Sequence, residues 1–167
     1  MKNKVVYPGT FDPITNGHID IIKRAGEMFE DVTVAVSEGA HKNPLFSWNE
    51  RINMVKRAVK GMDNVKVGCY RGMLVNYMKS IKKRIVIRGL RAIADFEYEF
   101  QLCLLNKKMG SNIEMVYLMP GEQYLYISSS AVKEIAYYGG NAEKFVPGFV
   151  NKLLKQKAKS SVKKAKK

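Results

Sequence analysis

Short apolar runs alternate along the chain with stretches whose apolar residues recur every three to four positions. Val5-Val6-Tyr7 reads as a buried first strand. Pro8-Gly9 ends it, and Asp12-Pro13 keeps the chain out of a helix for a few residues more. Ile19, Ile21, Ile22, Ala25, Met28 and Phe29 then follow a period near 3.6, which predicts a helix over about 17–29 with Thr15 as its N-cap. Val32–Val36 is a second strand, and 37–44 a polar loop. Ser47-Trp48-Asn49-Glu50 has the capping-box pattern and opens a helix whose face is Ile52, Val55, Ala58 and Val59. Further strands are predicted over 65–69, 84–88 and 113–118. Helices are predicted over 73–81, 93–109, from a Ser128 or Ser129 cap to about Tyr138, and from Pro147 onward.

Five short, β-branched runs separated by helices predict an α/β fold, a Rossmann-like doubly wound five-stranded parallel sheet in a single domain. Right-handed crossovers place helices on both faces, and the ligand crevice then lies beyond the C-terminal strand ends, at the switch point. Thr10 follows the first strand, the 39–42 loop the second, Arg88-Gly89-Leu90-Arg91 the fourth, and Tyr124–Ser130 the fifth. These distant segments are expected to share one cleft.

The chain has 167 residues, of which 46% are hydrophobic, in keeping with one globular domain. No apolar run approaches the roughly 20 residues that span a bilayer, and no signal-peptide core precedes the first strand. Cys69 and Cys103 sit in apolar contexts that predict buried free thiols, hence a reduced, cytoplasmic protein. The net charge of +14 is concentrated at the C-terminus: residues 152–167 hold eight lysines and no acid, leaving +6 for the rest. The expected division is a domain over 1–157 and a basic tail over 158–167, disordered or a frayed helix. Such a tail could touch nucleic acid only weakly and without sequence preference.

Chemistry concentrates at 5–18. A helix start leaves backbone N–H groups unpaired and attracts anions. Gly9 and Gly17 leave room for a phosphate, and His18 adds a nitrogen donor, or serves merely as a cap. Ser128-Ser129-Ser130 opens another helix in the same way. Asp95 and Glu99, four apart, read by themselves as a solvated face or local salt bridges. Lys133 reads as a solvated lysine or a further member of a phosphate site. Two histidines and no His/Cys metal spacing argue against a metal cage in the protein itself.

Thr15-Asn16-Gly17-His18 meets the T-x-G-H motif of the nucleotidyltransferase superfamily, and the string from Tyr7 to Asp20 resembles the phosphopantetheine adenylyltransferase family within it. Ile87–Ala92 with Asp95–Glu99, and Ile127–Ser130, are similar to the same family in the same order, so the resemblance covers about 4–150. It implies transfer of the adenylyl group of ATP to 4′-phosphopantetheine, releasing pyrophosphate, by in-line attack without a covalent intermediate. His18 is then the transition-state stabiliser. ATP falls to Thr10, Phe11, His18, Gly89, Leu90, Arg91, Glu99, Tyr124, Ile127, Ser128, Ser129 and Ser130. The acceptor falls to Thr10, Lys42, Leu74 and Arg88. Mg²⁺ is expected through the ATP phosphates, with no direct protein ligand. A homohexamer and feedback by coenzyme A are implied as well, with no membrane partner. Glu38 and His41 depart from the smaller loop expected around Lys42, and Tyr124 stands where tryptophan is frequent. The alternatives are a nicotinamide mononucleotide adenylyl- or cytidylyltransferase of the same superfamily, or a nucleic-acid-binding protein acting through the tail.

Overall fold

Each apolar run named above forms a strand, and each 3.6-period stretch a helix. The computed structural model describes residues 4–39, 43–109 and 112–165. The strands β1 (Lys4–Gly9), β2 (Asp31–Ser37), β3 (Val65–Tyr70), β4 (Ile85–Gly89) and β5 (Glu114–Leu118) are parallel and lie in the order β3-β2-β1-β4-β5. Between and after them run α1 (Asn16–Met28), α2 (Trp48–Ala58), α3 (Leu74–Ser80), α4 (Ile93–Lys108), α5 (Ser129–Tyr137) and α6 (Gly148–Ala165).

Strand alternation sorts side chains to two cores. Val5, Tyr7, Val34, Val36 and Ile87 pack on one face with Ile21 and Ile22 of α1, Val55 of α2, Val132 of α5 and Leu154 of α6. Val6, Ala35 and Val86 point the other way, onto Val75 and Met78 of α3 and onto Ile113. Helices thus cover both faces of the sheet. The second face is thinly covered, however: Ile93, Phe96, Phe100, Leu104 and Leu105 of α4 are all exposed.

The caps settle two local questions. Ser47 and Glu50 form the capping box at α2, the hydroxyl accepting from Glu50 N–H and the carboxylate from Ser47 N–H. At α5 the cap is Ser128, whose Oγ accepts from Ala131 N–H at 3.0 Å, so Ser129 is free for another use. One expectation fails: the cysteines are free but not buried. Cys69 is exposed on the edge strand β3, and Cys103 is half-buried on the incompletely covered α4. Among the described residues no helix is long and apolar enough to cross a membrane.

Ile22 has no exposed surface, whereas Met28, at the end of the same helix, is 57% exposed. Ile22→Ala should lower unfolding free energy by about 2–5 kcal/mol. Met28→Ala should lower it by no more than about 0.5 kcal/mol. Urea unfolding of both variants checks the packing of α1.

Candidate active site

β1 and β4 are neighbours that part company early. Their ladder pairs Val5 with Ile85 and Val6 with Val86, and there it stops. On the outer sides, β1 stays with β2 through Gly9 and Val36, and β4 with β5 through Gly89 and Leu118. The strands therefore diverge at the switch point, where an open cleft of about 460 Å³ lies between their ends. Arg88 spans the gap: its Nη1 donates to the Pro8 carbonyl at 3.0 Å.

His18 is fixed by the way α1 begins. Thr15 N–H donates to His18 Nδ1 at 3.0 Å, and the Thr15 hydroxyl is also 3.0 Å from that nitrogen. His18 is thus the N3 member of a capping box as well as a cleft residue, so both sequence readings of it hold. Because Nδ1 accepts, the neutral ring carries its proton on Nε2, which has no partner among the described residues. Burial, then the nearby charges of Arg91 and Arg88, push its pKa down from 6.5 to about 4. Near neutral pH the cleft therefore holds an uncharged imidazole that donates from Nε2. Phe11 packs edge-on against it, ring centroids 5.2 Å apart. Phe11 adopts a left-handed φ of 49°, and a Cβ at Gly9 would sit 2.8 Å from its ring. Gly9 is needed to admit Phe11 as well as to leave space for a ligand.

Cations ring the cleft, each backed by a carboxylate. Arg88 Nε donates to Glu99 Oε2 at 2.7 Å, and its Nη2 pairs with Glu99 Oε1. Burial works against the Arg88 charge, but the hydrogen bonds and charge of Glu99 more than offset it and raise the pKa. Arg91 makes a forked pair with Asp95 at 3.0 and 3.1 Å and donates to the Ile127 carbonyl, joining the end of β4 to the approach to α5. Lys133 donates to Asp12 Oδ2 at 2.8 Å. Ser129 Oγ donates to the Pro13 carbonyl at 2.8 Å, which seats the start of α5 beside the start of α1. Tyr7, pushed up to about 12 chiefly by burial, remains a neutral phenol in the wall.

Thr10, Phe11, His18, Arg88, Gly89, Arg91, Glu99, Tyr124, Ile127, Ser128, Ser129 and Ser130 all line this one cleft. Glu99 has both carboxylate oxygens on Arg88, so it orients that guanidinium. Leu90 and Leu74 do not line the cleft: Leu90 is buried beside it, and Leu74 packs into the second core with α3. Lys42 and His41 lie outside the described residues. Sequence reasoning missed Asp12 and Arg51, both buried. Asp12 accepts the N–H groups of Leu45 and Phe46 at 2.9 Å each, besides holding Lys133. A charged residue between Phe11 and Pro13 gave the only hint, and Arg51 in a polar-looking helix gave none. Among the described residues no group of three or more His, Cys, Asp or Glu converges as a metal cage would require.

A parallel sheet with an anion-attracting cleft at its switch point, walled by two helix starts, defines a doubly wound α/β protein built to hold a phosphate-bearing ligand. In agreement, residues 6–135 match the cytidylyltransferase-like family model. The chain is 49% identical over 156 residues to the phosphopantetheine adenylyltransferase of Dictyoglomus turgidum, covering 93% of this chain and 98% of that one. It is 50% identical to the enzyme of the same name from Desulforudis audaxviator, over 91% and 93% of the two chains. For Thermodesulfovibrio yellowstonii the figures are 48%, 95% and 99%. A solved Vibrio parahaemolyticus structure, assigned as a nicotinate-nucleotide adenylyltransferase, superposes with a TM-score of 0.71 at 16% identity, over 95% of this chain and 94% of that one. At that identity it speaks for the fold alone. The chain belongs to the phosphopantetheine adenylyltransferase family.

The neutral His18 has a measurable consequence. Between pH 6.5 and about 4 the unfolded chain takes up a proton at this residue and the folded protein does not. Its contribution to stability is thus present above pH 6.5 and is lost as pH falls toward 4. NMR titration of the ligand-free protein, with His18→Asn for assignment, should give a midpoint near 4. A midpoint near the ordinary 6.5 would contradict the geometry.

Proposed function

We propose that this protein transfers the adenylyl group of ATP to 4′-phosphopantetheine, giving 3′-dephospho-coenzyme A and pyrophosphate. The observation that supports it most is the meeting of the α1 start, Arg88, Arg91 and the Ser128–Ser130 turn around one cleft. A phosphate oxygen of the acceptor attacks the α-phosphorus of ATP, the bond to the β-phosphate bridge breaks, and pyrophosphate leaves. The nucleophile is already an anion, so no general base is required. The barrier is that of bringing anions together and stabilising charge at the phosphorus.

These residues suit that task. His18 Nε2–H donates to the developing charge on the α-phosphate without drawing in a competing proton. Arg91, the N–H groups at the start of α5, that of Ser129 among them, and the hydroxyls of Ser128 and Ser130 receive the ATP phosphates, with Thr10 and the Phe11 backbone at the other wall. Arg88, aimed by Glu99, takes the acceptor phosphate with Thr10 and Lys42. Tyr124 offers its ring to the adenine. Mg²⁺, carried by the ATP phosphates and water, would neutralise charge on the leaving pyrophosphate. The nicotinamide-nucleotide and cytidylyl alternatives are less favoured, because the relatives at 48–50% identity bear the phosphopantetheine name. Pyrophosphate release from ATP and 4′-phosphopantetheine, with CTP and nicotinamide mononucleotide as controls, tests the assignment directly. His18→Ala should lower kcat by about 10²–10³-fold with KM little changed; a rise in KM alone would make His18 only a binding residue.

The same reading includes a cytoplasmic homohexamer, inhibited by coenzyme A at the cleft. The outward apolar residues of α4 support self-association, since five large side chains on one helix are poorly placed in water. Leu105→Glu at that face should shift the sedimentation coefficient toward smaller species while leaving far-UV circular dichroism unchanged. An unaltered coefficient would place the subunit contacts elsewhere.

A further inference from the structure

After β5 the chain leaves the sheet and runs back along α1 toward that helix's start. The contacts fall in order. Arg24 Nη1 donates to the Met119 carbonyl at 2.8 Å, and Asp20 Oδ2 accepts the Gly121 N–H at 2.9 Å. A Cβ added at Gly17 would lie 3.5 Å from the Tyr124 Cβ and 3.6 Å from the Tyr124 carbonyl oxygen. Arg24, Asp20 and Gly17 are four and three residues apart, so they form one stripe of the helix.

That stripe gauges the segment 119–124. Asp20 and Arg24 are about one helical turn apart, roughly 6 Å along the axis. Pro120 biases Met119 toward extended backbone, in which residues two apart are also separated by roughly 6–7 Å. A carboxylate and a guanidinium at matching spacing therefore meet an N–H and a carbonyl in one register, and a one-residue slip would forfeit both bonds. Gly121 then opens the 3₁₀ turn Glu122–Tyr124, its carbonyl accepting the Tyr124 N–H at 2.8 Å. The Asp20 carboxylate thus holds the residue from which the Tyr124 turn springs. Pro120, Tyr124 and Ile127 line the cleft, whereas Asp20 and Arg24 do not.

We propose that Asp20 is a positioning residue for the nucleotide: through the Gly121 N–H it fixes the height of the Tyr124 turn over α1, and so the width of the adenine end of the cleft, without touching either substrate. Arg24 supports it from one turn further along the helix. This rests on the assignment above of Tyr124 to the adenine of ATP. An aspartate that served folding alone would weaken every ligand alike.

The test uses the full-length protein with D20A, D20N, R24M, Y124A and the pair D20A/Y124A. Calorimetry measures Kd for ATP, for tripolyphosphate, which has the charge but no base, and for 4′-phosphopantetheine. Steady-state assays give kcat and KM for both substrates. In D20A the ATP Kd and KM should rise about 5–50-fold. Tripolyphosphate and 4′-phosphopantetheine should stay within about 3-fold, being held by other residues. D20N keeps an acceptor oxygen and should stay within about 3-fold of wild type for all three ligands. Added to Y124A, D20A should cost ATP no more than about 3-fold, because the ring it positions is gone. R24M should weaken ATP about 2–10-fold with the same selectivity, and it decides if D20A does not fold. Equal losses for the three ligands, an unchanged ATP Kd in D20A, full additivity with Y124A, or D20N as weak as D20A would each overturn the proposal. Wild-type protein that binds ATP but forms no dephospho-coenzyme A would overturn the reaction assigned above, with ATP binding still deciding the role of Asp20. Wild-type protein that binds no ATP would overturn both.

Discussion

Everything distinctive about the cleft follows from a ladder that ends too soon. Val6 and Val86 are the last hydrogen-bonded pair between β1 and β4, and beyond them two strands that would ordinarily satisfy one another expose their ends. Each peptide group released must find another partner or meet water. The Pro8 carbonyl finds the Arg88 guanidinium, so the side chain that spans the gap is also the one left facing whatever enters it. Proline at the strand end contributes by having no N–H to be orphaned.

The electrostatics have the same economy. Arg88, Arg91 and Lys133 are each held from behind by Glu99, Asp95 and Asp12. A guanidinium pinned by a fork–fork pair has surrendered its rotamer freedom before any ligand arrives, so less ordering entropy is lost on binding. The carboxylates also temper the field, which keeps three cations from repelling one another in a confined space. His18 is the exception, an uncharged donor among charges, because the neighbouring arginines and its own burial both disfavour a proton. Local helix capping decides which of its nitrogens faces the ligand.

Much of this was legible in the residues. The order of strands and helices follows from the apolar periods, and the Thr15–His18 segment reads as a helix start with a ligand-facing histidine because capping chemistry is local. The cleft's membership was legible too, since strand-end positions in a parallel sheet converge. What escaped is contact across the chain. Asp12 and Arg51 look like ordinary polar residues until the fold brings carbonyls and N–H groups from three segments against them. Glu99 lines the cleft, as the resemblance implies, but its pairing with Arg88, eleven residues earlier on another element, is not readable from the sequence. Leu74 and Leu90, which the resemblance assigns to the site, are absent from the cleft lining, Leu74 packing against the second core. The thiols differ from expectation for a related reason: an apolar neighbourhood in sequence buries Cys69 only if another element covers it, and on the edge strand it stays exposed.

The bond from Ser129 to the Pro13 carbonyl joins residues 116 positions apart, and Asn16 N–H likewise reaches the Phe145 carbonyl at 2.8 Å. Two facing walls of the pocket are therefore made by segments more than a hundred residues apart in the order of synthesis. A chain synthesised only as far as β5 has the sheet and one side of the basin but not the α5 wall. The cleft is thereby enclosed only once α5 has docked beside α1, late in the order of synthesis relative to the sheet.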